Sequence, residues 1–431
     1  MSDVVSRRRF LGIGAMGLST MALGACGSWG GAKAGGSGSL RAAWYGGDPV
    51  HTALEKVLAH YQATHSGQKV NGEHAAFDDY WPKLSTETAA RNSPDVMRMS
   101  MTYFTDYAGR GALRDMTGYI GKTIDISTME KGVAGSGVVD GKRYGVGQSS
   151  IANAVFVNRE LIESVGAKVP SEDWTWDGLA SWAKAVGQSG NGKVAGTSDH
   201  SGHLELFEPY ARQHGKSLFT TDGRALAAGQ DLVEQWWAYW ADLRAAKGTP
   251  TASVTAAVTG FETDPIVTGK AAVDFGWVQQ IQFLQALMKQ ELDIMTIPNL
   301  PNGKPGLYVD SQDMWSIAST STSPDAAAEL IDYLVNDDFA IKTIGVVLGV
   351  PPSKHAVDLL SLEPKSPAGK AVAYVQGLGD KAAAPPPPWP KGYSQLSTLF
   401  KKISQDIGFG RSTPSKGAAS FYGQSKQILD T

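Results

Sequence analysis

The chain has 431 residues, too many for one ordinary core and enough for two or three domains. Hydrophobic residues make up 42% of it and charged residues 19%, with a formal net charge of -3. This composition excludes a disordered chain, and with no long basic run it argues against a nucleic-acid-binding groove. A single cysteine, Cys26, excludes an internal disulfide framework and any cysteine-rich zinc or iron–sulfur site.

The first 25 residues are predicted to be a signal peptide. Three arginines, Arg7 to Arg9, precede a weakly apolar, uncharged stretch up to Ala25, which is the order found in secretory signals. The twin-arginine pattern is also matched here, by Ser6, the paired arginines and the following Phe-Leu. The segment Leu23-Gly24-Ala25-Cys26 resembles a bacterial lipobox, in which the cysteine is lipidated and becomes the new N-terminus. We therefore expect Cys26 to be a lipid anchor; the alternative is an ordinary signal with an incidental cysteine.

Residues 26–39 are predicted to be a flexible linker that carries the anchor. They are rich in glycine, serine and alanine, and such a linker reaches roughly 20 Å. No later stretch is long and apolar enough to span a bilayer. We therefore expect the protein to be extracytoplasmic and lipid-anchored to the outer face of the cell membrane.

The body of the chain alternates short apolar segments with amphipathic ones. Strands are predicted at 40–45, 94–99, 154–157 and 271–275. Helices are predicted to begin near Asp48-Pro49, Asp78, Asn158, Thr175, Leu232 and Ser323. This alternation indicates an α/β architecture with mostly parallel sheets flanked by helices.

Two groups of tryptophans are predicted to be core residues rather than site residues. Trp236, Trp237 and Trp240 form a stripe at helical spacing, and the same interpretation covers Trp174, Trp176 and Trp182. Farther along the chain, Pro385–Pro388 predicts a stiff extended segment that crosses the surface before a last helical stretch.

Aromatic and polar residues are concentrated where predicted strands turn into helices. Trp44, Tyr103 and Trp277 occupy such turns, with Asp48 and Ser149 as polar partners. Ligands of parallel sheets bind at these carboxyl ends. A sugar ring needs flat apolar faces for its C–H groups and hydrogen-bonding groups for its hydroxyls, so this pairing favours a carbohydrate.

From Leu40 onward the chain resembles the family 1 extracellular solute-binding proteins, the carbohydrate-binding lipoproteins of ABC importers and relatives of maltose-binding protein. Each matching stretch alone is a weak signal, but the order and spacing of the stretches make the set specific for the family. The stretches are 77–84 with 92–96, 107–117, 140–146 with 155–161 and 174–179, and 315–318 with 323–327 and 349–353.

The resemblance implies a two-lobed, periplasmic-binding-protein-like fold of type II, with the ligand in a cleft between the lobes. The first lobe would comprise 40–147 and 313–365, and the second 148–312 and 366–431. The chain would cross between the lobes near 147–150 and 308–312, and closure of this hinge would trap the ligand. Gly147 stands where the family usually has a proline.

The resemblance also implies a set of ligand-binding residues. Trp277 is the principal candidate, and its alternative role is a core tryptophan that covers its strand. Trp389 could instead pack the proline segment, and Asp48 could cap its helix. The first-lobe candidates are Trp44, Asp48, Met99, Thr102 and Tyr103, with Tyr80; the hinge and second-lobe candidates are Ser149, Ser150, His203, Glu205, Trp277, Asp310, Ser311 and Trp389.

The expected function is capture of a mono- or oligosaccharide for an ABC importer permease, by a monomer without cofactor, metal or nucleic acid. An enzyme is not expected, because no G-x-S-x-G, HExxH or Walker loop follows the signal. An exported hydrolase and a non-binding lipoprotein remain less favoured alternatives. The same architecture could also bind glycerol-3-phosphate or a glycerophosphodiester, which would require Arg98, Arg110 or Arg143 in the cleft.

Overall fold

The structure is a computed structural model and describes residues 39–430, apart from the side chain of Asp380. The predicted signal peptide, the lipid-anchor residue Cys26 and the linker up to residue 38 lie outside the described residues, so these predictions remain predictions. Among the described residues, no helix has both the length and the apolar character needed to cross a membrane.

Helices and strands alternate along the described chain, as the sequence predicts. The strands are β1 (Ser39–Tyr45), β2 (Lys69–Ala75), β3 (Val96–Ser100), β4 (Val138–Val139), β5 (Lys142–Arg143), β6 (Val146–Gly147), β7 (Asn153–Asn158), β8 (Ala195–Thr197), β9 (Ala271–Trp277), β10 (Leu292–Met295) and β11 (Asp313–Ile317).

The α-helices lie between and after these strands. They are α1 (Asp48–Thr64), α2 (Phe77–Ala89), α3 (Met101–Gly109), α4 (Lys131–Gly135), α5 (Arg159–Ser164), α6 (Trp176–Ser189), α7 (Leu204–Gln213), α8 (Gln230–Ala245), α9 (Ala252–Ala256), α10 (Ile281–Ala286), α11 (Pro324–Asn336), α12 (Asp338–Ile344), α13 (Lys354–Leu360), α14 (Pro367–Leu378), α15 (Tyr393–Gly408) and α16 (Pro414–Leu429). Short 3₁₀ turns occur at Thr117–Tyr119, Phe261–Thr263, Val278–Gln280 and Gly379–Lys381.

The first lobe is built on a five-stranded sheet in the order β2-β1-β3-β11-β6. Alternate residues of β1, Leu40, Ala42 and Trp44, point into one apolar core together with the buried face of α1. The opposite face of β1 carries Arg41 and Tyr45, whose side chains bond to Glu73 and Asp313. The period of two along a strand therefore decides which aromatic of the Trp44-Tyr45 pair enters this core.

The second lobe is built on a four-stranded sheet in the order β10-β7-β9-β8. Strand β7 is buried along its whole length, with β10 on one side and β9 on the other. Helix α6 packs on β8, and α8, α15 and α16 pack against one another outside it. Helix α14, from much later in the chain, packs on β10.

The α/β class is confirmed, but the prediction of mostly parallel sheets was too simple. The pairs β1–β2, β1–β3 and β8–β9 are parallel, whereas the other five strand pairs in the described residues are antiparallel. Strands β1, β3 and β9 run toward the crossing between the lobes, while β7 and β11 begin there. A chain that crosses between two sheets must enter the second sheet in the opposite sense, which produces the mixed directions.

Short extended segments join the two lobes. Ile151 and Asp310 exchange backbone hydrogen bonds of 3.0 and 3.1 Å, so the segments near residues 148–152 and 308–312 run side by side. Ser150 pairs with Val350, which brings a third segment to the hinge. A Cβ on Gly147 would lie 2.6 Å from Val133 Cγ1, so the close approach of α4 accounts for this glycine. The residue limits of the lobes themselves remain a prediction.

The tryptophan predictions are confirmed for five of the six residues. Trp236, Trp237 and Trp240 on α8 are fully buried, and Trp174 and Trp176 are buried as well. Trp182 is only half-buried, and its Nε1 donates to the Lys168 carbonyl oxygen at 2.7 Å. Its indole therefore covers the edge of α6 rather than entering the core.

Candidate functional site

The carboxyl ends of strands in both lobes lie at the hinge. In the first sheet, Ser100 at the end of β3 stands opposite Asp313 at the start of β11. In the second sheet, Trp277 at the end of β9 stands opposite Asn153 at the start of β7. Since the hinge segments lead into β7 and β11, these two edges face the cleft, where residues from both lobes can reach one ligand.

The second-lobe edge brings together three of the predicted site residues. Trp277, His203 and Glu205 line a cavity of about 120 Å³ beside the end of β9. Asn153, Gln280 and the backbone of Gly276 complete its polar side. The cavity therefore combines an aromatic face with amide, imidazole and carboxylate groups.

The local sequence fixes the position of Trp277. The chain turns into a 3₁₀ helix directly after it, and its backbone N–H donates to Gln280 Oε1 at 2.9 Å. A Cβ on Gly276 would lie 2.2 Å from that same oxygen, so a larger residue there would displace the Gln280 side chain from this bond. Trp277 is half-buried, unlike the tryptophans of α8, which leaves part of its ring open to the cleft.

His203 and Glu205 form an ion pair at the beginning of α7. Nδ1 of His203 lies 3.0 Å from Oε1 of Glu205, and their side chains are 48% and 28% exposed. Burial favours the uncharged form of each, but their mutual hydrogen bond and charge attraction together outweigh it, which lowers the pKa of Glu205 and raises that of His203. The pair therefore offers an acceptor and a donor to a ligand.

A recess of about 200 Å³ continues inward from this edge. It shares His200, His203, Phe275 and Gln280 with the cavity beside Trp277, so the two spaces adjoin. Its polar lining includes Ser198, Asp199, His200, Thr255, Asp264, Asp274, Lys401 and Gln405. Among the described residues, no group of three or more His, Cys, Asp or Glu side chains has the arrangement of a metal site.

The first-lobe edge carries an aromatic cluster. Tyr103 of α3 stacks on Trp81 of α2 with ring centroids 4.0 Å apart, and Phe77 contacts both rings. Tyr45 packs edge-on against Phe77 and is covered on another side by the Arg98 guanidinium. Phe77 is 40% exposed and Tyr103 is half-buried, so these two rings form the accessible part of the cluster.

One contact already joins the two lobes across the cleft. Oδ1 of Asp106, on α3 of the first lobe, accepts a hydrogen bond from the backbone N–H of Gly392 at 3.0 Å. Gly392 is the N-cap residue of α15, with a φ of 84°. Because it is a glycine, it has no side chain that could cap the helix. The carboxylate of Asp106 therefore occupies the N-terminus of a second-lobe helix.

Two first-lobe candidates lie in the core instead of on the cleft. Trp44 is 1% exposed, and its Nε1 donates to His51 Nδ1 at 3.2 Å. Tyr80 is fully buried and its hydroxyl donates to the carbonyl oxygens of Ala43 and Arg98. We correct both predictions: strand alternation turns Trp44 into the sheet core, and Tyr80 supports Tyr45 from behind.

The remaining first-lobe candidates lie at or near the edge. Asp48 is exposed in the first turn of α1, after the N-cap residue Gly47, so it is not the predicted cap. Thr102 is half-buried in the first turn of α3, beside Tyr103. Met99 is completely buried within β3 and cannot contact a ligand in this arrangement.

The hinge candidates are buried and serve the crossing segments. Ser150 Oγ donates to Glu130 at 3.2 Å, and Ser311 Oγ donates to the Asp313 carbonyl oxygen at 2.6 Å. Asp310 accepts from Ser136 Oγ at 2.5 Å, beside a second cavity of about 700 Å³ that shares no lining residue with the Trp277 cavity. Ser149 Oγ is buried without a partner among the described residues. We therefore remove Ser150 and Ser311 from the proposed ligand contacts, whereas Asp310, which lines the second cavity, stays a prediction.

Trp389 takes the packing role that was its alternative. It is 3% exposed, stacks on Tyr393 at 3.8 Å and donates from Nε1 to Glu208 at 2.9 Å. The same Glu208 oxygen accepts from the hydroxyl of Tyr308 next to the hinge. The indole thus fixes the end of the proline segment and does not present a free face.

Sequence reasoning missed several residues that the structure places at the site. Phe77 begins α2 directly after β2, so a strand-end rule would have found it only if β2 had been predicted. Asp264 and Lys401 had no such signal, because they come from a turn and a late helix that reach the recess only through tertiary packing. These missed residues are Phe77, Asp264, Gln280 and Lys401.

This architecture agrees with comparisons to known proteins. The sequence model of the family described as bacterial extracellular solute-binding protein matches residues 47–340, and the chain belongs to that family. It is therefore a solute-binding protein of the ABC transport type with an extracytoplasmic location.

Individual relatives are similar along most of their length. A binding protein of Brucella abortus (strain 2308) is 22% identical over 370 residues, covering 84% of this chain and 86% of that protein. The diacetylchitobiose binding protein DasA of Streptomyces coelicolor is 23% identical over 331 residues, 72% of each chain. A periplasmic oligogalacturonide binding protein from Yersinia enterocolitica has a TM-score of 0.80 at 22% identity, with 91% of this chain and 98% of that chain covered. The two-lobed periplasmic-binding-protein fold is thus confirmed.

Proposed function

We propose that this protein is the substrate-binding lipoprotein of an ABC importer, captures a carbohydrate by closure of its two lobes and delivers it to the permease. The observation that carries the proposal is the pairing of edges across the hinge. The half-open Trp277 with His203 and Glu205 stands on one side, and the accessible rings of Tyr103 and Phe77 stand on the other.

The chemistry of these edges suits a sugar. Aromatic faces stack on the C–H groups of a pyranose ring, while the ion pair and nearby amides of Asn153 and Gln280 can bond its hydroxyls. Two relatives carry carbohydrate ligands in their names, diacetylchitobiose in one and oligogalacturonide in the other. Both facts support a carbohydrate and leave its identity to experiment.

The phosphorylated alternative lacks the arginine it requires at the cleft. Arg98 donates to the Tyr45 carbonyl oxygen and to Asp313, and Arg143 donates to three backbone carbonyl oxygens near α4. Arg110 lies over the Tyr107 ring at the far end of α3. All three guanidinium groups therefore already have partners, which favours a neutral or amino sugar over a phosphodiester.

We infer that the protein binds without catalysing a reaction. The two carboxyl groups that could be imagined as a glycosidase pair have separate roles, since Glu205 pairs with His203 at the cleft and Asp310 bonds to Ser136 at the hinge. Turnover of glycoside or ester substrates by the purified protein would contradict this inference.

The first test is a thermal-shift screen followed by calorimetry. A ligand that binds only the folded protein raises the melting temperature, so mono- and oligosaccharides, glycerophosphodiesters, amino acids and peptides can be compared directly. We expect hits among the carbohydrates. Hits confined to phosphodiesters would replace the proposed ligand class, and a panel without any hit would contradict the binding function.

Trp277→Ala should weaken carbohydrate binding strongly while leaving the fold intact. A half-buried aromatic anchor at a binding edge typically contributes about 2 kcal/mol or more, which is roughly 30-fold in the dissociation constant. Calorimetry with the best carbohydrate of the screen measures the loss, and Trp277→Phe should restore part of it.

Trp182→Ala is the matched control, because Trp182 is also half-buried but lies on α6 away from the cleft. It should leave the affinity unchanged. If Trp277→Ala lowers the melting temperature sharply and the folded fraction binds normally, Trp277 is a core residue and the assignment is wrong.

A further inference from the structure

The recess behind His203 can accept only part of a ligand. Its volume of about 200 Å³ lies below the roughly 300–1,000 Å³ typical of complete small-molecule pockets. Because it adjoins the cavity beside Trp277, a ligand seated at the cleft edge would place one end in it. The lining of the recess therefore selects the chemistry of that end.

Three carboxyl groups line the recess, and two of them already have basic partners. Asp199 forms an ion pair with Arg244, and Asp274 Oδ1 lies 2.8 Å from His200 Nε2. Among the described residues, the carboxyl group of Asp264 accepts a hydrogen bond only from the backbone N–H of Ile266, at 3.0 Å, and no basic side chain bonds to it. Asp264 is thus the carboxyl group available to a ligand.

The surroundings of Asp264 penalise its negative charge. Burial raises the pKa of Asp264 to about 7, the nearby charge of Asp274 acts in the same direction, and His203 opposes them. The other charged groups of the recess do not bond to it: Glu205 pairs with His203, and Lys401 lies exposed at the rim. A cation next to Asp264 would remove the repulsion between the two carboxylates.

A second observation also indicates a ligand in this recess. Ser198 lines it, is 4% exposed, and its Oγ has no hydrogen-bond partner among the described residues. Buried hydroxyl groups are normally bonded, so a polar ligand group inside the recess would satisfy Ser198 as well.

We propose that the recess binds a sugar unit that carries a protonated amino group, and that Asp264 accepts the hydrogen bonds of this ammonium. The proposal rests on the proposed carbohydrate function and names the class of sugar that the second lobe selects. A charge-assisted bond between ammonium and carboxylate is stronger than one from a neutral hydroxyl. A neutral sugar would also enclose Asp264 without compensating its charge.

The test uses pairs of sugars that differ only by an amino or a hydroxyl group. Chitobiose with free amino groups and cellobiose share one skeleton, and glucosamine with glucose and galactosamine with galactose extend the comparison. Calorimetry at pH 7 should show an amino sugar that binds about tenfold tighter or more than its hydroxyl partner. Its affinity should fall between pH 7 and pH 5, as Asp264 takes up a proton, whereas the neutral partner's affinity should not fall over the same range.

Asp264→Asn should abolish this preference while changing the affinity for the neutral sugar about twofold or less. The asparagine carbonyl can still accept from Ile266, and an unchanged melting temperature would verify folding. Glu262→Gln is the control, since it removes the same charge two residues away at an exposed position outside the recess.

The possible outcomes distinguish the amino-sugar preference, the role of Asp264 and the carbohydrate function from one another. Equal or tighter binding of the neutral partners would overturn the amino-sugar proposal and leave the carbohydrate function standing. A preference that survives Asp264→Asn would overturn the role of Asp264. Binding of none of these sugars, nor of any other carbohydrate in the screen, would overturn the proposed function and this inference with it.

Discussion

At the scale of single residues, Asp310 shows how a buried carboxyl group serves the hinge. Its side chain is 5% exposed and accepts from Ser136 Oγ at 2.5 Å and from the Ser311 N–H at 2.7 Å. Burial raises the pKa of Asp310 to about 6, although these hydrogen bonds act in the opposite direction. The folded protein therefore holds this proton more tightly than the unfolded chain does, where the pKa is about 3.9.

This residue should make stability depend on pH. The contribution of Asp310 to the free energy of unfolding is fully present below pH 4. It is lost as the pH rises through about 6, because the folded state must then carry a buried charge. Asp310→Asn keeps the carbonyl acceptor and removes the charge. It should stabilise the protein at pH 7.5 by up to about 3 kcal/mol. In denaturant unfolding, the free energy of unfolding of this variant should change less between pH 4 and 6 than that of the parent protein.

Asp173→Asn, at an exposed loop position, is the control and should leave the profile unchanged. A less stable Asp310→Asn variant at pH 7.5 would show that the ionised carboxylate is required by the hinge, contrary to this expectation.

At the scale of secondary-structure elements, α15 begins with help from the opposite lobe. Its N-cap residue Gly392 offers no side chain, and Asp106 of α3 accepts the Gly392 N–H instead. Opening of the hinge would separate the two groups and leave the helix terminus uncapped. The bond therefore stabilises the closed arrangement relative to the open one.

Asp106→Ala should weaken ligand binding about two- to thirtyfold, since capping bonds contribute roughly 0.5–2 kcal/mol. Asp106→Asn keeps an oxygen acceptor and should retain most of the affinity. Calorimetry with the carbohydrate found in the screen measures both variants. Equal affinities for Asp106→Ala and the parent protein would show that the contact does not contribute to closure.

Elements and site residues could be predicted from the sequence where the local sequence pattern is strong. Strand β7 and helix α8 were predicted because continuous burial and a helical stripe are visible in the sequence. Strand β2 was not predicted, because most of its residues are not buried and it lacks a clear alternation. Trp277 could be proposed from its strand-end position, whereas Asp264 reaches the recess through a turn whose path depends on the whole second lobe.

At the scale of the whole molecule, the proposed lipid anchor determines where the lobes act. If Cys26 is lipidated, Cys26→Ser should release the protein from the membrane, because the described body contains no spanning helix. Fractionation of cells into membrane pellet and supernatant measures the change. Ser28→Ala should leave the protein in the pellet, and a Cys26→Ser protein that also stays there would contradict the anchor.

The position of β11 has a consequence for how the molecule is made. This strand lies inside the first sheet between β3 and β6, yet more than two hundred residues of chain separate it from β3. At a synthesis rate of about 5–20 residues per second, the sheet stays open at its centre for roughly 10 to 40 seconds after β3 has emerged. During that interval the N-terminal segment is already outside the ribosome, so an export route for unfolded chains can engage it first. A route that carries folded proteins must wait until residue 317 has been added and the sheet has closed.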